Sequence, residues 1–280
     1  MSSVGRVVKE NYSYLYWCTR HYTKGKRKAI HTLYALVKHF DDLCSSSISA
    51  NEKKEIIKAW EREIDNIYDK KVPVTEIGRR VYKDCMRFKL LKERFENIIS
   101  SLQSDCPTPI YRPTQKELNQ YCHGIAITPT YLILKVIAEF DDETNDKLAT
   151  QIGQAIEITN ILKNTKEDMT SGHVYIPDEF LKEAEIEPTL SSKEILTHTN
   201  LYVARQKLAD TARKAFAESY RLLEENNNTN SKPVVYMLNL YQKYFEMMDN
   251  RGWEVISPKP KLKLKDNLLL VAKTMLGKGY

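Results

Sequence analysis

Residues 152–164 read IGQAIEITNILKN, and this stretch decides the fold class. Its apolar residues recur at spacings of three and four, which predicts a helix with a buried face because one turn takes about 3.6 residues. They are Ile152, Ala155, Ile156, Ile158, Ile161 and Leu162. At about 100° per residue, the polar side chains of the same helix share an arc of roughly 80°. The arc contains Glu157, Asn160, Asn164 and Asp168. The sequence therefore predicts a ladder of oxygen-bearing side chains on an otherwise apolar helix.

A helical period extends from this stretch over most of the chain. The segment EIIKAWEREIDNIYDK (55–70) carries one apolar stripe with charges on the opposite face. Further helical patterns cover roughly 26–44, 74–102, 114–139, 145–168, 191–225, 232–250 and 264–275. Only 9 Gly and 10 Pro occur in 280 residues, no strand pattern is convincing, and the loops at 104–114 and 224–233 are short. We therefore expect residues 1–280 to form a single all-α domain.

The composition narrows the classes of function. A net charge of +6 without a concentrated basic stripe argues against a nucleic-acid partner. The five cysteines are odd in number and lack metal-binding spacing, which argues against a disulfide framework or a zinc site. The sequence shows neither a signal peptide nor an apolar run of about 18 residues. These features predict a cytoplasmic protein that associates with a membrane, if at all, from its surface.

A second polar ladder interrupts the helical pattern HTLYALVKHFDDLCSS (31–46). At about 100° per residue, one face of this helix spans roughly 60° and offers a phenol, a cation, a carboxylate and a hydroxyl. These groups belong to Tyr34, Lys38, Asp41 and Ser45. We expect this face to lie opposite the ladder on the 152–164 helix.

Oxygen ladders on two facing helices suit a hard cation such as Mg²⁺, which bridges a few protein oxygens to substrate phosphates. Such an arrangement promotes the loss of diphosphate, because it neutralises charge that accumulates on the leaving group. The carbocation that results needs apolar and aromatic walls, and the chain has 17 Tyr to contribute. Acidic helix faces are more often simply solvated. The apolar neighbours of the second ladder favour a site over a solvated surface.

Four motifs in the chain resemble, in order, those of the squalene and phytoene synthases. They are KRKAIHTLYALVKHFDDL (26–43), LNQYCHGIAITPTYLI (118–133), QAIEITNILKNTKEDMTSGHVYIPDEFL (154–181) and LYQKYFEMMDNRGWEV (240–255) with a basic run after it. The resemblance implies a single isoprenoid-synthase domain whose helices surround a central cavity. It also implies that two prenyl diphosphates are joined head to head through a cyclopropyl intermediate, with Mg²⁺ as the cofactor.

The resemblance assigns roles by position. Asp41 and Asp168 would be metal-binding carboxylates and Asn160 a metal-facing amide, with Asp42, Glu157, Asn164 and Glu167 completing the predicted metal set. Three tyrosines would lie near the diphosphates as catalytic residues: Tyr34, Tyr121 and Tyr241. Three basic residues would bind substrate phosphate: Lys38 and Lys163, where the family has arginines, and His173 in a turn that is usually basic.

The departures from the family pattern fall on the chemistry. Ser45 and Asn164 stand where the family has aspartates, so two of four carboxylates are neutral. Glu157 stands where the family usually has Gln and returns one negative charge to the same face. Ile127 and Thr130 replace small residues, and Pro129 is expected to kink the helix. Less room for a prenyl chain favours a farnesyl-sized or shorter substrate.

These departures leave more than one function open. The first is an active prenyltransferase that makes a squalene-like product. The second is a catalytically silent relative that serves as a protein-interaction scaffold, such as an assembly factor of respiratory complex I, with a partner protein. The third is a carrier that binds a prenyl diphosphate or a lipid. A reductive step would need NADPH, for which no glycine fingerprint is visible.

A basic run precedes the last helical pattern. Lys259, Lys261, Lys263 and Lys265 alternate with Pro and Leu before NLLLVAKTML. Such runs are usually solvated, but this one adjoins an apolar helix. It therefore suggests weak binding to an anionic lipid surface, into which a prenyl product would partition.

Overall fold

The computed structural model describes residues 19–20, 22–138, 140–226 and 231–275, and every structural statement below refers to them. The helices of this part of the chain are α1 (Lys24–Ser45), α2 (Ala50–Asp65), α3 (Glu76–Phe88), α4 (Lys92–Asp105), α5 (Gln115–Cys122), α6 (Thr128–Ile137), α7 (Asp142–Thr170), α8 (Asp178–Glu183), α9 (Ser192–Leu196), α10 (Leu201–Asn226), α11 (Lys232–Arg251) and α12 (Leu264–Met275). Two π-helical turns, Asn66–Lys70 and His123–Ile127, follow α2 and α5. The only β pairing among the described residues is an isolated bridge between Tyr111 and Val174. The all-α prediction is confirmed.

α7 lies at the centre of the fold. α6, α10, α11 and the second π turn pack around it. Its predicted apolar face is buried, with Ile152, Ala155 and Ile158 at most 1% exposed. The helix that carries the second ladder is therefore surrounded by protein along much of its length, which positions the ladder in the interior.

α2 illustrates how local sequence sets a boundary. The Ser49 hydroxyl accepts from the backbone of Glu52 while the Glu52 carboxylate accepts from the backbone of Ser49, so a capping box starts the helix. The predicted stripe of this helix is buried at Ile57, Trp60 and Ile64. The amphipathic pattern thus determined which face of α2 packs on the core.

Two of the helices predicted from the pattern are interrupted in the structure, so their predicted continuity is wrong. The pattern at 74–102 splits into α3 and α4 at Lys89, whose φ of 52° is left-handed and ends the first helix. The pattern at 191–225 splits into α9 and α10, and α8 was not predicted at all. Neither break carries a Gly or a Pro at the turning residue, so the sequence offered no local signal for it.

The helix is irregular just before Pro129, where the sequence predicts a kink. The π turn His123–Ile127 absorbs an extra residue, and α6 then starts with the proline in its first turn, where no backbone N–H donor is needed. Gly153 of α7 packs on this turn, because a Cβ there would lie 2.6 Å from the Cα of Ile127. Ile127 itself is buried. The segment between the two ladders is therefore pressed against α7.

Hydrogen bonds from two arginines to backbone carbonyls hold the segment between α11 and α12 in place. Arg205 of α10 is 1% exposed and donates to the backbone carbonyls of Trp253 and, at 3.3 Å, of Leu162 in α7. Arg251 donates to the carbonyls of Ile256 and Pro258. This segment is thereby held beside α7. Over the residues that the structure describes, no helix combines the length and apolar character needed to cross a membrane.

Candidate active site

The oxygen ladder of α7 is internally hydrogen-bonded. Asn164 Nδ2 donates to Asn160 Oδ1 at 3.0 Å, so the two amides form one unit across a helical turn. Glu157, one turn before Asn160, is 7% exposed, and a hydrogen bond from Asn160 favours its charged form. Glu157 and both amides therefore lie along one connected face of the helix.

Ionisation is unfavourable for the two acids of this face, Glu157 and Asp168. Burial, together with the smaller effects of the charges of Asp168, Asp105 and Asp41, raises the pKa of Glu157 to about 7. Burial also raises the pKa of Asp168 to about 7, while the ammonium of Lys259 opposes the rise. A cation placed among these groups would relieve both costs.

The first ladder lies at the more exposed side of the site. Lys38 forms an ion pair with Asp42 and lies 3.7 Å from Asp41, and the two carboxylates are 63% and 66% exposed. The hydrogen bond to Asp42 raises the pKa of Lys38. Ser45 donates to the backbone carbonyl of Asp41 at 2.7 Å, so its hydroxyl is used within α1. Asp42 is thus held by Lys38, and Ser45 by its own helix.

Asp41 nevertheless belongs to the same electrostatic group as α7, since its charge contributes to the raised pKa of Glu157. Tyr34, which lies one helical turn before Lys38 on the same face of α1, is 8% exposed. The structure thereby brings the first ladder to within electrostatic reach of the second.

Lys163 lies in an aromatic pocket on the opposite flank of α7. Its Nζ is 5.3 Å from the ring centre of Tyr241 and 4.8 Å from that of Tyr244. Burial lowers the pKa of Lys163, and the neighbouring charge of Lys259 lowers it further. The two tyrosine rings stabilise the ammonium in this setting through their electron-rich faces.

A stack of three rings ends on Asp105, a residue that the sequence analysis did not select. The rings of His173 and Tyr121 both stack on Tyr175, with centres 5.5 and 5.1 Å away. The Tyr175 hydroxyl donates to Asp105 Oδ2 at 2.9 Å, and His173 Nε2 lies 3.6 Å from Asp105 Oδ1. Asp105 ends α4, and burial raises its pKa. Its position at the start of a Pro-rich loop gave no sequence signal for a buried carboxylate.

Lys259 is the second residue whose place differs from expectation. Its Nζ donates to Asn164 Oδ1 at 2.8 Å and lies 3.1 Å from Glu167 Oε1. Lys261, Lys263 and Lys265 are exposed instead. The basic run therefore divides: its first lysine faces the ladder of α7 and the others face solvent.

A cleft of about 590 Å³ opens between α4 and α5 and reaches the phenol of Tyr121. Its lining also includes Ser101 and Ser104, and none of the ladder residues. The cleft therefore meets the candidate site only at the ring stack.

The donor set of the two ladders fits a hard divalent cation, because it consists of carboxylate and amide oxygens with two mutually repelling acids. No three His, Cys, Asp or Glu side chains of the described residues form a ready-made metal cage. The residues present therefore fit ions that each take only one or two ligands from the ladder, such as Glu157 with Asn160, or Asp168. Phosphate and water would supply the rest.

Comparisons with known proteins agree with the motifs. The model of the squalene/phytoene synthase family matches residues 8–266. The presqualene diphosphate synthase of Zymomonas mobilis is 26% identical over 254 residues, which cover 90% of this chain and 84% of that protein. The 4,4'-diapophytoene synthase of Staphylococcus haemolyticus is 24% identical, with 79% and 77% of the two chains covered.

Solved structures show the same fold. A dehydrosqualene synthase in complex with a ligand superposes with a TM-score of 0.82 at 19% identity, covering 99% of this chain and 96% of that one. A squalene synthase from Alicyclobacillus acidocaldarius gives a TM-score of 0.70 at 20% identity, with 87% and 88% covered. The helical architecture expected from the motifs is confirmed.

Proposed function

Since this chain belongs to the squalene/phytoene synthase family, we propose that it joins two prenyl diphosphates head to head and releases inorganic pyrophosphate. The observation that carries the proposal is the group of carboxylates formed by Glu157 and Asp168 of α7 with Asp41 and Asp105. Such a group, flanked by three lysines, suits a substrate that combines a diphosphate with bound cations.

In this proposal, Glu157, Asn160, Asp168 and Asp41 would contribute ligands to Mg²⁺ ions, with Glu157 and Asp168 serving different ions because about 16 Å of helix separates them. Asp42, Asn164 and Glu167 lie beside them in the predicted metal set. When bound, Mg²⁺ neutralises the charge that develops on departing pyrophosphate. The chain's own share is positional: the buried face of α7 fixes the oxygen donors, and protein around it excludes bulk water.

Basic side chains receive the leaving group. Lys38 lies beside Asp41, Lys163 lies over the ring of Tyr244, and His173 lies at the end of the ring stack. Each can donate to phosphate oxygens, although a lysine offers a point charge where an arginine would offer a fork. As the C–O bond breaks, its electron pair leaves with pyrophosphate and an allylic cation remains.

Aromatic rings shield that cation. Tyr34, Tyr121 and Tyr241 are at least half-buried, and their ring faces are suited to stabilising positive charge. Ile127, at the end of the π turn, and Thr130, in the first turn of α6, are both buried. We infer from them a farnesyl-sized or shorter substrate. The proposal stops at this condensation and includes no reductive step.

The scaffold alternative receives no support from the relatives named above, which are synthases by name. It therefore serves as the outcome that the experiment must exclude.

The proposal is tested by incubating the purified protein with farnesyl diphosphate and Mg²⁺ and measuring released pyrophosphate and the lipid product. We expect release that depends on Mg²⁺ and that falls at least 100-fold in Asp168→Asn, since it removes a metal-binding charge. Glu179→Gln, on the exposed start of α8, serves as the matched control. Absence of pyrophosphate at every Mg²⁺ concentration, with the protein folded, would overturn the proposal.

A further inference from the structure

The far end of the α7 ladder already contains a cation. Lys259 Nζ is 2.8 Å from Asn164 Oδ1 and 3.1 Å from Glu167 Oε1, so two oxygens of the predicted metal set contact one ammonium group. These distances are ordinary for a charge-assisted hydrogen bond and an ion pair. An ammonium group and a divalent ion cannot share the same two oxygens.

The substitution of Asn164 fits this arrangement. An aspartate at this position would offer a full negative charge, which favours a divalent ion over a single ammonium. The amide keeps an oxygen for Lys259 Nζ while its Nδ2 donates to Asn160 Oδ1 at 3.0 Å. The amide therefore serves as a donor and an acceptor at once, a combination that a carboxylate cannot supply.

The chain holds Lys259 in this place. Arg251 donates to the carbonyls of Ile256 and Pro258, just before Lys259, and the buried Arg205 ties the carbonyl of Trp253 to α10. Hydrogen bonds from two arginines to the backbone just before Lys259 thus set the position of the ammonium. Its charge lowers the pKa of both Asp168 and Lys163, in keeping with a position near both groups.

We propose that the Lys259 ammonium is a resident cation that replaces one divalent ion at Asn164 and Glu167, so that α7 holds one divalent ion fewer than it would with an aspartate at position 164 and no lysine beside it. This inference rests on the proposed function. Lysine has three N–H donors, and the two contacts with α7 leave one for a phosphate oxygen of the substrate. The site therefore binds diphosphate with fewer metal ions than two intact aspartate ladders would.

The test counts bound Mn²⁺ per chain by equilibrium dialysis in the presence of saturating inorganic pyrophosphate. Four proteins are compared: the unaltered chain, Asn164→Asp, Lys259→Met, and the double variant. We expect the double variant to bind one Mn²⁺ more than the unaltered chain, because a carboxylate is restored and the ammonium is removed. Asn164→Asp alone is expected to gain none, since Lys259 then pairs with the new carboxylate.

Equal Mn²⁺ counts in the unaltered chain and the double variant would overturn the inference, as would a gain in Asn164→Asp with Lys259 in place. Lys261→Met, an exposed neighbour, controls for the loss of one positive charge, and far-ultraviolet circular dichroism confirms folding. The counts also separate the two proposals. If all four proteins bind the same, non-zero number of Mn²⁺ ions, only the resident-cation proposal is refuted. If the unaltered chain binds no Mn²⁺ and the double variant binds one, only the metal dependence of the proposed function is refuted.

Discussion

The hydroxyl of Tyr175 donates to Oδ2 of Asp105 at 2.9 Å, while Oδ1 of the same buried carboxylate has no hydrogen-bond partner among the described residues. Buried carboxylate oxygens are rarely left without a donor, because desolvation is costly. His173 Nε2 lies 3.6 Å from this oxygen, beyond hydrogen-bond distance. Asp105 therefore links α4 to the ring stack and keeps one oxygen available to a ligand or to a protonated His173.

Replacing Asp105 by Asn should lower pyrophosphate release by about 10-fold to 100-fold, the usual cost of removing a supporting group near a metal. The amide keeps the shape of the side chain and removes the charge that faces His173. The measurement is the initial rate with farnesyl diphosphate at saturating Mg²⁺. Asp65→Asn, an exposed acid of α2, is the control, and equal rates in both variants would show that Asp105 plays no part.

Replacing Glu157 by Gln should raise the Mg²⁺ concentration needed for half-maximal activity by about 10-fold or more. The reason is that Glu157 supplies a charge to a ladder in which Asn164 is neutral. The melting temperature should hold or rise, since the buried carboxylate has a cost of ionisation. A Mg²⁺ dependence identical to that of Glu143→Gln, on the exposed start of the same helix, would contradict the assignment.

The pH dependence of stability can be followed at Asp84, far from the metal set. Burial raises the pKa of Asp84 from 3.8 to about 6, with a hydrogen bond to Thr32 opposing the rise. The folded state therefore binds this proton more tightly than the unfolded chain, and the ionised carboxylate destabilises the fold increasingly from pH 3.8 to about 6.

Asp84→Asn should consequently increase the free energy of unfolding by about 1–2 kcal/mol at pH 7.5, after allowance for partial solvent screening, and by almost nothing at pH 4. Urea denaturation at the two pH values measures the difference. Asp266→Asn, an exposed acid of α12, should show no such dependence. A gain of the same size at both pH values would rule out ionisation as the cause.

Replacing Gly153 by Ala should destabilise the protein by about 1–3 kcal/mol, even though alanine is the better helix former. A Cβ at this position would lie 2.6 Å from the Cα of Ile127, and backbone of a π turn cannot move aside as a flexible side chain can. Thermal melting measures the loss, with Thr150→Ala on the same helix as the control. An unchanged melting temperature would mean that α7 and the π turn separate easily.

Lipid association should depend on α12 and the exposed part of the basic run. Leu268 and Leu269 are each 56% exposed beside Lys261, Lys263 and Lys265. Each lysine near an anionic bilayer contributes about 1 kcal/mol, so changing all three to Glu should abolish sedimentation with phosphatidylglycerol vesicles. Neutral phosphatidylcholine vesicles provide the baseline. Sedimentation of the triple variant at the level of the unaltered chain would exclude this surface.

The spacing of apolar and polar residues along the sequence predicted the faces of the helices. It did not predict features that depend on contacts between residues far apart in the chain. The apolar face of α7 and the stripe of α2 followed from spacing alone, as did the two ladders. Asp105 and the position of Lys259 did not. The first depends on its contact with Tyr175, and the second brings together two residues that are 95 positions apart along the chain, Asn164 and Lys259. The breaks at Lys89 and before α10 were missed for a similar reason, since tertiary packing imposed them on helical patterns.

The anchoring of Lys259 through Arg251 and Arg205 has a consequence for the order of events during synthesis. Translation delivers α1 and α7 to the exit tunnel well before the segment that contains Lys259. Until that segment docks, Asn164 and Glu167 of the nascent chain lack their ammonium partner. The contact between Lys259 and α7 therefore forms only after nearly the whole chain has been synthesised.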